Sequence, residues 1–192
     1  MTPFQQVRDW LQIEEDLGSP EPNRVVLATA GKDNVPHSRI VAIREVSNDG
    51  LLFFTQTGTR KYTQIQENRH VSMTIWLPMQ QRQVILEGVV EAISKDDCQE
   101  YWEANDRERQ LKFGAYFEET GQEIESFDLL NNNLARLRDE YHDKKIPMPD
   151  VYCGFRLMPS HIYFYTLGID TFSEVFVYHN VDNDWKKQQL SP

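Results

Sequence analysis

Four short runs in this sequence carry side chains able to do chemistry. In Ser38-Arg39-Ile40-Val41-Ala42-Ile43-Arg44, two arginines bracket an apolar stretch of strand character. A guanidinium is permanently charged and carries five donors, so inside a strand it seeks an anionic partner. Arg39 and Arg44 are five positions apart, and a regular strand sends them to opposite faces. Only a bulge or a strand end lets both reach one ligand. From this segment alone, two separate surface or salt-bridged arginines is the simpler reading.

The second run is Phe53-Phe54-Thr55-Gln56-Thr57-Gly58-Thr59-Arg60-Lys61, a strand ending in a polar turn that enters a helix through Thr59. Backbone N–H groups at the helix start, a threonine hydroxyl and the Arg60-Lys61 pair would supply donors and charge to one phosphate. A capped surface helix with two solvated cations fits the same residues. In the third run, Arg82-Gln83, the Gln83 amide offers a donor and an acceptor, as the edge of a flat heteroaromatic ring requires, and an ordinary edge-strand polar residue is the alternative. The fourth is Tyr163-Phe164-Tyr165, where Phe164 alternates away from the two tyrosines toward the core; aromatic strands are more often packing than ligand platforms.

Composition narrows the possible partners. The chain has 192 residues, 40% hydrophobic and 26% charged, with 20 Lys and Arg against 30 Asp and Glu for a net charge of -10. That balance repels phosphate backbones and anionic membranes, so neither nucleic acid nor a membrane is the expected partner. No apolar run is long enough to span a bilayer, and Gln5, Arg8, Asp9 and Glu14 stand where a signal peptide has its apolar region, so a cytoplasmic location is expected. Cys98 and Cys153 form no CxxC pair, and His37, His70, His142, His161 and His179 lie far apart, which argues against a disulfide framework or a metal site.

The elements that must position these residues follow from periodicity. Thr2-Pro3-Phe4-Gln5 has the signature of a helix start, with Phe4, Val7 and Leu11 at helical spacing. Strands are expected at RVVLAT (24–29) and HSRIVAIREV (37–46), joined through Gly31-Lys32-Asp33-Asn34 as a hairpin, then at LLFFTQT (51–57) after Asn48-Asp49-Gly50. Two more follow at VSMTIWL (71–77) and RQVILEGVVEAI (82–93). The period then changes. Ser94 caps SKDDCQEYWEAN, and Leu130, Leu134, Leu137 and Tyr141 form a second helical stripe, with loop between the two helices. Strand pattern returns in residues 151–167 and 174–180, and again in WKKQQL (185–190) after the Asp182-Asn183-Asp184 turn. Consecutive hairpins without βαβ alternation predict one domain over 1–192, mainly β with α (α+β): an antiparallel barrel with peripheral helices.

Taken in order, RIVAIR, FFT, the Gly58-Thr59-Arg60-Lys61 turn, RQV, YW, GAY, Pro147-x-Pro149, CGFRL and the terminal Trp185 to Leu190-Ser191-Pro192 segment resemble the pyridoxamine 5'-phosphate oxidase family over nearly the whole chain. The resemblance implies an FMN-binding split barrel working as a homodimer, with FMN at the interface. It assigns the FMN phosphate to Arg39, Arg60 and Lys61, and the cofactor lining to Ile40, Val41, Phe54, Thr55 and Thr59. Gln83 is similar to the family glutamine that hydrogen-bonds the flavin ring, Arg44 stands where the family usually has a lysine near flavin and substrate, and Tyr165 replaces a tryptophan. The activity implied is that of a flavoprotein oxidase of vitamin B6 metabolism. Hydride passes from the substrate carbon bearing the amine or alcohol to flavin N5, and O2 reoxidises the flavin to give peroxide.

The substrate residues match less closely. Tyr101 matches a phosphate-binding tyrosine, but the arginine expected four residues later is Asn105, and Arg107 or Arg109 is the expected source of the missing charge. Where the family shows a polar R-L-H-D-R run, this chain has Thr171-Phe172-Ser173-Glu174-Val175, with Thr171, Ser173 and Val175 in place of the polar residues. Three readings follow: an oxidase of pyridoxamine or pyridoxine 5'-phosphate, a family oxidase or reductase acting on a different small cyclic substrate, and a non-catalytic FMN-binding protein. No residue is singled out as a catalytic acid or base.

Overall fold

The computed structural model describes every residue except Met1, Phe117, Glu119 and Asn183. Thirteen elements follow in order among these residues: α1 (Pro3–Asp16), β1 (Arg24–Ala30), β2 (Pro36–Ser47), β3 (Gly50–Gln56), α2 (Arg60–Glu67), β4 (His70–Leu77), β5 (Arg82–Ala92), α3 (Lys95–Glu103), α4 (Arg107–Tyr116), α5 (Asp128–Glu140), β6 (Tyr152–Thr166), β7 (Glu174–Val181) and β8 (Asp184–Leu190). The predicted hairpin is present, with β1 and β2 antiparallel from Arg24 opposite Ala42 to Ala30 opposite Pro36. Of the turn expected before β8, Asn183 lies outside the described residues.

All pairings are antiparallel, in the order β3-β2-β1-β4-β5-β6-β7-β8, and a further β3–β6 pairing closes the first six strands into a barrel. The long β6 makes this closure possible. Its first half, Tyr152 to Leu157, pairs with β3, and its second half, from His161, pairs with β7. Between the halves the β5–β6 register shifts: Gly88 faces Pro159 while Glu87 faces His161, so Ser160 is extra. A bulge bends its strand, and proline, which lacks an N–H, is tolerated there. Ser160 also donates its hydroxyl to the Glu87 carbonyl at 3.2 Å.

The barrel is filled by alternating residues, among them Leu27, Leu51, Phe53, Met73, Ile75, Leu86, Leu157 and Phe164, all buried. Phe164 faces this core as its alternation predicts. Helix α1 covers the barrel with Phe4, Val7 and Trp10, whose indole meets the Phe164 ring edge-on at 5.0 Å. Glu14 on the same helix is fully buried, but its carboxylate accepts from the Met79 N–H at 2.9 Å and the Gln80 amide at 3.0 Å, so its polar atoms are satisfied. A second cluster of Cys98, Trp102, Leu111, Phe113, Ile146 and Tyr152 holds α3 and α4 against the barrel wall. Helix α4 was expected to be loop. Its buried residues, Leu111, Phe113 and Ala115, lie at every second position and so lack a helical stripe. Among the described residues no helix is long and apolar enough to cross a membrane, and no group of His, Cys, Asp or Glu is placed to hold a metal.

Candidate active-site cleft

The turn between β3 and α2 begins the site. Gly58 takes φ +81°, a conformation that favours glycine. Thr59 then caps α2: its hydroxyl accepts from the Tyr62 N–H and donates to the Gln56 carbonyl at 3.0 Å, beside the buried Thr55 hydroxyl. Arg39 is held next to this turn by a relay absent from the sequence reading. Its guanidinium donates to the Leu27 carbonyl at 3.1 Å and the Thr29 hydroxyl at 2.8 Å, and Thr29 donates to Gln64 of α2 at 2.7 Å. Gln64 in turn meets the His37 ring at 2.9 Å. Arg39, Arg60 and Lys61 thus form one cationic cluster. Burial chiefly, and then the charge of Arg39, hold the half-buried Lys61 ammonium below the usual lysine range; burial and then Arg60 lower Arg39. Mutual repulsion of this kind is relieved by an anion, and the nearby helix N-terminus adds to the attraction.

Arg39 and Arg44 lie on opposite faces of β2, as regular alternation sends them: Arg39 shares the inward side with Val41 and Ile43, and Arg44 the outward side with Ile40 and Ala42, with a bulge directly after Ile43. Ile43 faces Phe53 while Glu45 faces Leu52, leaving Arg44 as the extra residue. Val41 and Ile43 point into the core before the bulge, and Val46 packs on it afterwards. Arg44 and Glu45 consequently both project outward toward α3. Arg44 donates to the Asn105 side-chain oxygen at 2.6 Å. Tyr101 donates its hydroxyl to Glu45, which also accepts from Arg156 at 2.8 Å. The Tyr101 and Arg156 bonds hold the Glu45 carboxyl below its usual range; burial and Glu45 raise the Tyr101 hydroxyl to about 12.

A cleft of about 540 Å³ joins these features. It is lined by Ile40, Val41, Arg44, Phe54, Thr55, Thr59 and Lys61 of the predicted site, and by Arg109. Arg39 and Arg60 flank it without lining it. Arg107 lies apart: its guanidinium donates to the Tyr141, His142 and Lys144 carbonyls, closing the C-terminal end of α5, while Arg109 faces the cleft. Tyr101 is also off the lining, one aromatic contact behind Phe54 at 5.1 Å. The sequence reading missed Asn105 as a partner of Arg44, as well as Gln56, Phe113, Tyr116 and Tyr152 on the cleft wall. Tyr152, stacked on Phe54 at 5.0 Å and 8°, was visible only as the start of a strand.

Gln83 and Tyr165 are cross-strand partners on the outer face of the barrel. Counting from Ala42 at the cleft, Gln83 is three strand spacings away, roughly 14 Å around the sheet. Beyond Tyr165, Thr171 and Ser173 lie in the β6–β7 connection beside the exposed Phe172, and Val175 is buried next to Tyr165.

The family model for pyridoxamine 5'-phosphate oxidase matches residues 5–140. The chain belongs to that family. A pyridoxine/pyridoxamine 5'-phosphate oxidase of Alteromonas mediterranea is 32% identical over 192 residues, covering 100% of this chain and 90% of that protein. The pyridoxine/pyridoxamine 5'-phosphate oxidase 2 of Hydrogenovibrio crunogenus is 31% identical, with 99% and 88% covered. Among solved structures, PhzG from Burkholderia lata in complex with tetrahydrophenazine-1-carboxylic acid superposes with a TM-score of 0.89 at 23% identity, covering 99% of this chain and 92% of that one. A pyridoxamine 5'-phosphate oxidase-related, FMN-binding protein from Nostoc punctiforme gives 0.79 at 19%, with 100% and 99% covered. The FMN-binding split-barrel fold of this family is therefore the fold of the chain, as its resemblance implied.

Proposed function

We propose that this chain is an FMN-dependent oxidoreductase acting on a small cyclic substrate, with FMN held between two copies of the chain. The observation carrying the reading is the cluster of Arg39, Arg60 and Lys61 around the capped start of α2, at the edge of a cleft large enough for a flat ring system. Its donors and charges fit a phosphate dianion: guanidinium forks, an ammonium, the Thr59 turn and the helix N-terminus. FMN, when bound, supplies the two-electron chemistry, accepting hydride from substrate and passing the electrons to O2.

The chain's own residues bind and orient. Arg39 is preset by Thr29 and Gln64, so little ordering remains when the phosphate arrives. Ile40, Val41 and Phe54 give an apolar wall that excludes water from the ring. Gln83 and Tyr165 are too far around the sheet to join the same cleft, which favours a composite site in which a second copy presents them. Arg44 supplies positive charge where substrate and ring would meet.

Pyridoxamine 5'-phosphate is the default substrate by family membership. A different cyclic substrate is favoured by one particular: the Tyr101 hydroxyl is committed to Glu45 and does not line the cleft. Anaerobic mixing of the FMN complex with pyridoxamine 5'-phosphate, following the flavin absorption band, separates these. Bleaching, with pyridoxal phosphate formed on admitting air, establishes the vitamer oxidase. An unbleached flavin that a panel of other cyclic donors reduces establishes the second reading, and a flavin that no donor reduces would overturn the oxidoreductase.

A further inference from the structure

The relay that holds Arg39 ends on a titratable ring. A guanidinium only donates, so the Thr29 hydroxyl accepts from Arg39 at 2.8 Å and spends its own proton on the Gln64 side-chain oxygen at 2.7 Å. The Gln64 amide is thereby turned with its Nε2 toward β2, where it meets Nδ1 of His37 at 2.9 Å. An amide nitrogen also only donates, so His37 accepts at Nδ1, which requires a neutral ring carrying its proton on Nε2. The polarity of the whole chain is set from Arg39 outward. Its middle members are buried: Thr29 is 2% exposed and Gln64 7%.

Nδ1 of His37 has a second neighbour of the opposite character, the Val35 carbonyl oxygen at 3.1 Å. The nitrogen serves one of the two at a time: without a proton it accepts from Gln64, and with one it donates to Val35. Protonation therefore takes the acceptor from the Gln64 amide, and turning that amide over takes from Thr29 the oxygen to which it donates. Either arrangement breaks a bond between buried groups. The charged groups around the ring are Arg39 on the same face of β2, Arg60, Lys61 and Glu67 on α2 within one turn of Gln64, and Lys32 and Asp33 in the β1–β2 turn; β1 presents the uncharged Thr29 opposite it. Both carboxylates are engaged by backbone, Glu67 by the Lys32 N–H and Asp33 by the Val35 N–H, each at 3.1 Å. A positive charge on His37 adds to the attraction for a phosphate, but the ring is partly exposed and solvent and salt screen that attraction, whereas the broken relay lies in the interior. Resting on the FMN-dependent reading above, we propose that His37 is a positioning residue for the FMN phosphate: its neutral ring holds Arg39 in place through Gln64 and Thr29, and its protonation releases that hold.

The test is titration of the apoprotein with FMN, read by flavin fluorescence at a series of pH values from about 5 to 8, the range in which histidines as a class change charge. The parent chain is compared with His37→Asn, whose amide oxygen accepts near the Nδ1 position at every pH, and with His37→Leu, which accepts at none. Protonation of FMN's own phosphate is common to all three and cancels in the ratios. Toward acid the parent is expected to lose about tenfold more affinity than His37→Asn, the scale of one hydrogen bond between buried groups, and His37→Leu to be weaker than the parent by a similar factor at the alkaline end. In a Thr29→Val background, where the relay is cut before Gln64, His37→Asn is expected to leave the pH profile unchanged, a dependence on Thr29 that a merely structural role for His37 lacks. Parallel profiles for the parent and His37→Asn, a parent that tightens relative to His37→Asn in acid, or His37→Leu binding as tightly as the parent at the alkaline end would each overturn the proposal while leaving the cofactor reading intact. Absence of FMN binding by the parent at every pH would overturn both.

Discussion

At the scale of single residues, Arg39, Arg60 and Lys61 are charges that no ion pair among the described residues neutralises. Replacing both Arg60 and Lys61 with alanine removes two charge-assisted contacts to the phosphate. The variant is expected to lose FMN affinity on the order of a hundredfold or more while its far-ultraviolet circular dichroism stays unchanged. Retained yellow colour after dialysis would refute the phosphate assignment. Glu45 gives a pH prediction. Its carboxyl titrates below the ordinary value of 4.5, first because of Tyr101 and then Arg156. A lowered carboxyl pKa stabilises the fold above the ordinary value, and that stabilisation is lost as pH falls through the lowered one. The melting temperature of Glu45→Gln should therefore lie below that of the parent at neutral pH and converge with it in strong acid. A constant difference down to the most acid pH would contradict the network. In the sequence, the residue types of this site were visible but their pairings were not: Tyr101 and Glu45 are 56 positions apart, and Arg156 lies a further 55 beyond Tyr101.

At the scale of elements, two bulges do most of the positioning. The β2 bulge turns Glu45 outward beside Arg44 and toward Tyr101, and the β6 bulge lets one strand both close the barrel and leave it. A Cβ at Gly88, opposite the second bulge, would meet the Met158 carbonyl oxygen at 2.1 Å and the Pro159 Cα at 2.6 Å. Gly88→Ala is thus expected to cost about 3 kcal/mol, visible as a lower urea midpoint with an unchanged slope. A midpoint equal to the parent's would mean that the close approach is not required. The strands were legible because one face is buried and one is not, a pattern with period two. The spacing of Arg39 and Arg44 correctly sends them to opposite faces; the bulge that follows Ile43 and turns Glu45 outward could be located only from the pairing of β2 with β3. Helix α4 stayed hidden because Leu111, Phe113 and Ala115 contact different neighbours and form no single stripe.

For the whole molecule, the separation between the cleft and Gln83 leads to the proposal that a second copy completes the site. The outer sheet face that carries Gln83 also exposes Val26, Ile40 and Trp76. Sedimentation equilibrium is expected to give about twice the 22.6 kDa of one chain. A mixture of Arg60→Ala/Lys61→Ala chains with Gln83→Ala chains should recover sites intact in both halves, and with them part of the parental FMN affinity. A strictly monomeric protein, or a mixture no better than its components, would rule out the shared site. This level was the least legible from residue types, since no motif within one chain records which surface meets its twin. The family resemblance supplied that expectation, and the proposal rests on it together with the spacing of Gln83 from the cleft.

The central claim is that the cleft binds FMN, and titration of the apoprotein with FMN, followed by quenching of flavin fluorescence, tests it most directly. Saturable binding at one FMN per chain is expected. Fluorescence that stays at the level of free FMN throughout the titration would contradict it.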